Sequence, residues 1–224
     1  TRNYWYLKSL SKINKGRSWI TFTKTFGGVD HEEPVSVVQL DDNGYVFSGN
    51  TENNNLLLIK TNSQGEEEWN KTFGVGKDIW GYDLIKTSDG GYLISGTSHN
   101  SITFNDFLLI KTDSEGNEEW SKSYDYNNLK LSQGSYSVRQ TPDNGYIMTG
   151  WTFTSIGGNS RDVLLIKTNS EGVEDWNRTY YGGGFSRGNS IQLTSDGGFI
   201  IMGSKNNDYI WLIKTNSQGE EEWN

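Results

Sequence analysis

Short apolar runs of four to eight residues, broken by turn residues, recur along this chain in a fixed order. The clearest stretch, residues 56–74, reads LLLIKTNSQGEEEWNKTFG. It returns as LLIKTDSEGNEEWSKSY from Leu108, LLIKTNSEGVEDWNRTY from Leu164 and WLIKTNSQGEEEWN from Trp211. The LIKT core begins at positions 58, 109, 165 and 212, giving spacings of 51, 56 and 47. Self-similarity at this period marks a chain assembled from stacked supersecondary units.

Each period splits into four runs. Run a is SVVQL (36–40), DLIKT (83–87), SVRQT (137–141) and SIQLT (190–194). Run b is GYVFSG (44–49), GYLISG (91–96), GYIMTG (145–150) and GFIIMG (198–203). Run c is the LIKT segment and run d the EEW segment. Their β-branched and aromatic residues predict strands. Between a and b stand DDNG, SDGG, PDNG and SDGG, and between c and d NSQG, DSEG, NSEG and NSQG. Asn-Gly and Asp-Gly supply the positive φ that two-residue hairpin turns require. Four antiparallel strands joined by tight turns and repeated about every 50 residues predict an all-β fold, a β-propeller of four-stranded blades. The expected organisation is one repeat domain over 1–224, with a half repeat at 1–28 and full repeats at about 29–74, 75–125, 126–181 and 182–224.

The connections from d to a (27–34, 74–81, 125–135, 181–189) and from b to c (50–55, 97–105, 151–161, 204–208) vary in length and composition. In an up-and-down blade both sets emerge at one end, which makes that end the expected binding face. At the N-terminus, YWYLKS (4–9) and SWITFTKTFGG (18–28) are a degraded c–d pair without a and b. This surplus hairpin predicts a segment of a longer ring or array, or an edge completed by a neighbouring copy. The start at Thr1 without Met fits a processed product.

A mean hydropathy of −0.71 would raise the question of disorder. Nine Trp, twelve Tyr and nine Phe in periodic positions answer it, and 27 Gly against two Pro suits many short strands. The net charge of −8 disfavours nucleic acid and anionic membranes as partners. No apolar run is long enough to span a bilayer, so membrane insertion is not expected. The absence of Cys removes disulfides, thiolate nucleophiles and cysteine metal sites.

The candidate chemistry is sparse. Trp69, Trp120, Trp176 and Trp223 share one repeat position and read as structural rings packed between blades. Trp80, Phe104, Trp151, Phe153 and Phe185 fall outside the repeat register, in the variable connections, with Arg161 and Arg187 beside them. These seven are the candidate binding residues. His31 and His99 lie in different repeats, and no nucleophile-elbow pattern stands near them, so no catalytic residue is assigned. The HEEP stretch around His31 and the Asp-Gly turns read as solvated loop and hairpin turns rather than metal loops, because calcium needs six to eight oxygens. The acids of run d are expected opposite the LIKT lysine, where a cross-strand pair contributes about 0.2–1 kcal/mol. Asn70 and Asn177 head N-x-Thr sequons on run d.

The LIKTNSQGEEEW pattern resembles the tryptophan-docking propeller repeats of the pyrroloquinoline-quinone-like class. It is still more similar to the DGGY/LIKT/EWNKTFGG arrays of secreted and surface proteins of archaea and bacteria. The resemblance covers residues 18–224 and weakly 4–17. It implies an extracellular or cell-surface location, but the quinone dehydrogenases' cofactor and metal ligands are not present. The sequence therefore predicts a non-catalytic binding or scaffold module without cofactor or metal. Its expected partners are protein, glycan or a second copy joined by strand addition at the termini. The alternative is an enzyme, or a cofactor- or metal-carrying propeller, with its site at the mouth of the central channel.

Overall fold

Each blade starts from an a–b hairpin whose turn differs from the two-residue form expected. In the computed structural model, which describes residues 23–27, 31–100, 104–125, 133–153 and 160–224, the loop has three residues. Leu40 N donates to Gly44 O at 2.9 Å and Asn43 N to Leu40 O at 3.0 Å, so a tight turn is followed by one left-handed residue. That residue is Asn43, Gly90, Asn144 or Gly197, with φ of 66, 88, 64 and 84°. The glycine after it has a different reason. A Cβ on Gly44, Gly91, Gly145 or Gly198 would collide with the carbonyl oxygen of Thr61, Thr112, Thr168 or Thr215 on the third strand.

Four such units follow one another. Blade 1 is β1 (Glu32–Gln39), β2 (Tyr45–Thr51), β3 (Leu56–Thr61) and β4 (Glu67–Phe73). Blade 2 is β5 (Asp78–Lys86), β6 (Tyr92–Asn100), β7 (Phe104–Thr112) and β8 (Glu118–Tyr124). Blade 3 is β9 (Gln133–Gln140), β10 (Tyr146–Phe153), β11 (Arg161–Thr168) and β12 (Glu174–Tyr180). Blade 4 is β13 (Arg187–Leu193), β14 (Phe199–Lys205), β15 (Tyr209–Thr215) and β16 (Glu221–Trp223). Within each four-stranded sheet the pairings are antiparallel between sequence neighbours, and the described residues contain no helix. The all-β propeller expectation holds. Of the N-terminal half repeat, residues 1–22 and 28 lie outside the described residues. Residues 23–27 run along blade 1, with Phe26 against Phe47 at 4.8 Å.

Alternation along the strands gives every blade two apolar faces. In blades 2 and 3 one meets the next blade and the other the preceding one. Val46, Leu56 and Leu58 of blade 1 meet Leu84, Tyr92, Ile94, Leu108 and Ile110 of blade 2. Leu93, Phe107 and Leu109 meet Val138, Tyr146, Met148, Leu164 and Ile166. Ile147, Val163 and Leu165 meet Ile191, Phe199, Ile201, Trp211 and Ile213. Each fully buried side chain of this size stabilises by roughly 1.5–3 kcal/mol. Among the described residues no such core joins blade 4 to blade 1. The outward face of blade 4 is accordingly bare. Ile210 is 85% exposed where Phe107 and Val163 are 0%, and Leu212 is 45% exposed where Leu109 and Leu165 are 0%.

Two devices tie the strands together. The LIKT lysine is sunk into the blade rather than spread over its surface. Lys111 Nζ reaches Asp89 of the a–b turn and Glu119 of the outer strand, both at 2.8 Å, and Thr112 O at 2.9 Å. Lys167 and Lys214 repeat this with Asp143 and Asp175, and with Asp196 and Glu222. Burial opposes the charge of Asp89, but hydrogen bonds from Lys111, Thr87 and the Gly91 N–H hold its carboxyl at about 2. The second device is the tryptophan of the outer strand. A Cβ on Gly116, Gly172 or Gly219 would lie 2.7, 2.7 or 2.6 Å from the indole of Trp69, Trp120 or Trp176, so each ring rests on the c–d turn of the next blade.

Candidate functional site

The innermost strand of every blade carries a bulge at one repeat position. Pairing skips Val35, Tyr82, Tyr136 and Asn189, each between two regularly paired neighbours. A bulge leaves its extra residue outside the ladder and re-aims its side chain. In blades 2 and 3 that residue is tyrosine, and the two rings meet edge to face at 5.1 Å. Tyr136 also accepts a hydrogen bond from Trp151 Nε1 at 3.2 Å. The indole has room because β9 carries Gly134 beside it, where a Cβ would lie 3.1 Å from Nε1.

From Trp151 the band continues into Arg161. The guanidinium carbon lies 4.0 Å from the Trp151 ring centroid, 4.9 Å from Phe153 and 5.6 Å from Phe185. Trp151 and Phe153 are themselves edge to face at 5.3 Å. Phe185 is brought in by the backbone. It forms a one-residue parallel bridge with Arg161, in which Arg161 N donates to Gly184 O at 2.9 Å and Ser186 N to Arg161 O at 2.8 Å. Tyr82, Tyr136, Trp151, Arg161 and Phe185 thus form one continuous band across blades 2, 3 and 4. Its two ends, Tyr82 and Phe185, are both 39% exposed.

The electrostatics of the band are one-sided. Among the described residues no carboxylate pairs with Arg161 or Arg187, and the Nε of each is buried without a hydrogen-bond partner. Burial pushes the Arg161 guanidinium below its ordinary value, Tyr136 acts in the other direction, and the positive charge of Arg187 adds to the lowering.

Of the seven sequence candidates the structure gathers Trp151, Phe153, Arg161 and Phe185, with Arg187 close enough to act on Arg161. Trp80 and Phe104 are placed by their strands alone. Trp80 sits on β5 opposite Thr97, and Phe104 opens β7 opposite Asn100, its side chain lying outside the described residues. One premise is corrected: except for Phe185, these positions are not loop. Strands β5, β7, β9 and β10 run beyond the repeat register, and Trp151 is a buried strand residue, 7% exposed. Tyr82 and Tyr136 escaped the sequence reading, although their signal was present. Both stand just before the aligned Asp83 and Ser137, where the other repeats carry Val35 and Asn189.

The remaining candidates are dispersed. Trp223 is 52% exposed, while its equivalents Trp69, Trp120 and Trp176 are partly buried between blades. His31 is exposed, its N–H 3.4 Å from Glu52 Oε2, and His99 lies on β6 opposite Asp78. Among the described residues no group of three or more His, Asp or Glu is arranged to hold a metal. Asn70 and Asn177 lie on the outer strands and donate to Glu67 at 2.6 Å and Glu174 at 2.7 Å.

No family model matches the chain, and neither does any curated protein. Solved structures do. A "putative exo-beta-1,3-galactanase" from Bifidobacterium bifidum S17 is similar at 12% identity and a TM-score of 0.51, over 84% of this chain and 70% of that one. A hypothetical protein from Leishmania major is similar at 7% identity and a TM-score of 0.50, over 92% and 73%. A GH43 beta-xylosidase/alpha-arabinofuranosidase from a compost microbial metagenome gives 12% identity and a TM-score of 0.48, over 86% and 76%. At these identities the likeness is one of fold. It also corrects the expectation that the chain is not an enzyme, because a protein described as an enzyme shares this architecture. The separation of His31 from His99 and the lack of a nucleophile elbow were the wrong grounds. Cleavage of a glycosidic bond is carried by a pair of carboxylates and needs neither a histidine base nor an elbow serine. What the comparisons establish is the fold: the chain is a β-propeller of four-stranded antiparallel blades.

Proposed function

We propose that this chain binds a glycan on the end of the propeller where the variable connections emerge. One observation carries this reading. The aromatic band from Tyr82 to Phe185 spans three blades, is not required by the repeat, and ends in two exposed rings. Sites for small ligands combine apolar and aromatic walls with a few placed polar groups, and here Arg161 and the Tyr136 hydroxyl are those groups. The seating of Trp69, Trp120 and Trp176 on turn glycines supports the tryptophan-docking repeat type and, with it, a place at the cell surface. A panel of plant, microbial and animal polysaccharides, followed by tryptophan fluorescence, tests the reading. Tyr82→Ala and Phe185→Ala should each weaken binding at least fivefold without changing thermal stability. Unchanged affinity in both variants would refute the placement.

A second proposal, association through the ends of the blade array, rests on a separate observation. The outward face of blade 4 repeats faces that are covered between blades elsewhere. Face packing of a further blade of this kind, rather than strand addition, suits that surface.

A further inference from the structure

We infer that the glycan is acidic, and that its carboxylate or sulfate group seats between Arg161 and Arg187. This rests on the reading of the aromatic band as a glycan site and adds to it the chemistry of the group recognised. The starting point is how the chain treats its buried lysines and the arginine of β9; Arg178 and Lys205, by contrast, rest on Trp176 and Trp211. Lys111, Lys167 and Lys214 each hold two carboxylates, and Arg139 holds Asp83 at 2.9 Å. In a chain with 28 acids and 20 bases, Arg161 and Arg187 are neighbouring guanidiniums that no carboxylate among the described residues pairs. Each also buries an Nε–H with no acceptor. A buried donor left unmade is unfavourable, and more so when it carries charge.

The repeat does not ask for either arginine. At the position of Arg161 the other blades carry Asn54, Asn105 and Asp208, and at that of Arg187 they carry Glu33, Trp80 and Gly134. Nor do the connections flanking β9 and β10 offer a counterion, and Asp162 beside Arg161 accepts from Gly182 N at 3.1 Å. The connections over 126–132 and 154–159, on either side of β9 and β10, contain no Asp or Glu and one Lys, Lys130. The geometry suits an anion from outside. Trp151, Phe153 and Phe185 hold the guanidinium of Arg161 by its surroundings. Among the described residues no carboxylate takes its donor edge, and that edge matches the two oxygens of a carboxylate or sulfate. An anion there would also relieve the repulsion between the two arginines. Nucleic acid fits less well, because its phosphates call for a broad positive footprint that a chain of net charge −8 does not present.

The test is calorimetric titration of the 224-residue chain with four polymers. They are polygalacturonate, the same polymer fully methyl-esterified, a sulfated galactan and the unsulfated galactan. The acidic members are expected to bind at least tenfold more tightly than their neutral counterparts, and to weaken as salt rises. Preference for polygalacturonate or for sulfated galactan identifies the carboxylate or the sulfate as the source. Arg161→Gln and Arg187→Gln should each lower acidic-glycan affinity at least tenfold and remove most of the preference for the acidic over the neutral polymers. Arg161→Lys, which keeps the charge and loses the fork, should recover only part. Thermal unfolding identifies any variant that fails to fold, and Arg187→Gln and Arg187→Lys then carry the test. Equal affinity for acidic and neutral polymers, or unaffected glutamine variants, would overturn the acidic inference and leave the glycan reading standing. No binding by any of the four would overturn both.

Discussion

The contact between Trp120 and Gly172 offers a direct test of what joins one blade to the next. Trp120 lies on the outer strand of blade 2, and Gly172 closes the c–d turn of blade 3 with φ of 71°. The side of the indole rests where a glycine Cβ would be, 2.7 Å away, and the ring also meets Tyr146 at 6.0 Å. Truncating Trp120 to alanine removes most of a ring that buries on the order of 150 Å², about 3–4 kcal/mol at roughly 25 cal per Å². Gly172→Ala attacks the same contact from the other side. It places a side chain at positive φ, at a cost of about 1–2 kcal/mol. It also displaces the indole, so the single variant should lose about 3 kcal/mol or more. With Trp120 already alanine, only the backbone part remains. The double variant should therefore be less destabilised than the sum of the singles by at least about 1 kcal/mol. Urea unfolding of the four proteins measures this coupling. Strict additivity would show that the tryptophan does not fasten the turn of the next blade. Trp223→Ala is the internal control, since the same repeat position is half exposed there and should cost under about 1 kcal/mol.

Trp151→Ala should cost about 3–5 kcal/mol by thermal unfolding; a loss below about 1 kcal/mol would contradict its burial. The carboxyls of Asp89 and Asp143 are both held at about 2 by lysine, threonine and turn N–H groups. A depressed carboxyl stabilises the fold above its unfolded value near 4, and that contribution is lost as pH falls through about 2. The double variant Asp89→Asn, Asp143→Asn should therefore flatten the fall in urea stability between pH 4 and 2, and an unchanged slope would refute the assignment. Ile210→Lys should reduce concentration-dependent association measured by light scattering while leaving thermal stability within about 0.5 kcal/mol. A variant that associates as strongly as the original would exclude the blade 4 face.

The blades were legible because their residues answer to the repeat. The LIKT lysine recurs since blades 2, 3 and 4 close on it from both sides, through Asp89 and Glu119 in blade 2, while in blade 1 Lys60 pairs with Glu68. The second glycine of SDGG recurs since the third-strand carbonyl leaves no space for a Cβ. What misled was turn chemistry. Asn-Gly and Asp-Gly suit two-residue hairpin turns, yet here the positive φ falls on the third residue of a longer loop, as Asn43 shows. Strand length was the other miss. Beyond Gly150, where run b ends, β10 continues through Trp151 to Phe153, opposite a β11 that opens at Arg161. Nothing in the composition of WTFTSIGGNSR marks where pairing stops.

The site was only half visible for a related reason. Trp151, Phe153, Arg161 and Phe185 drew attention by breaking the repeat, and departure from a repeat is what sequence comparison within one chain detects. Their convergence was not visible, because it depends on the parallel bridge from Arg161 to Phe185 and on the space left by Gly134. Tyr82 and Tyr136 were hidden in the opposite way. They hold a position that the repeat does use, one residue before the paired Asp83 and Ser137, and so looked like filler between strands. The bulge turns that position to use, since an unpaired residue on the innermost strand can face inward without disturbing the ladder. A blade therefore offers two kinds of functional residue. Those at the strand ends vary freely and are recognised by their oddness. Those at the bulge are recognised only once the ladder shows which residue it skips, and here the skipped tyrosines are what extend the band from blade 3 into blade 2.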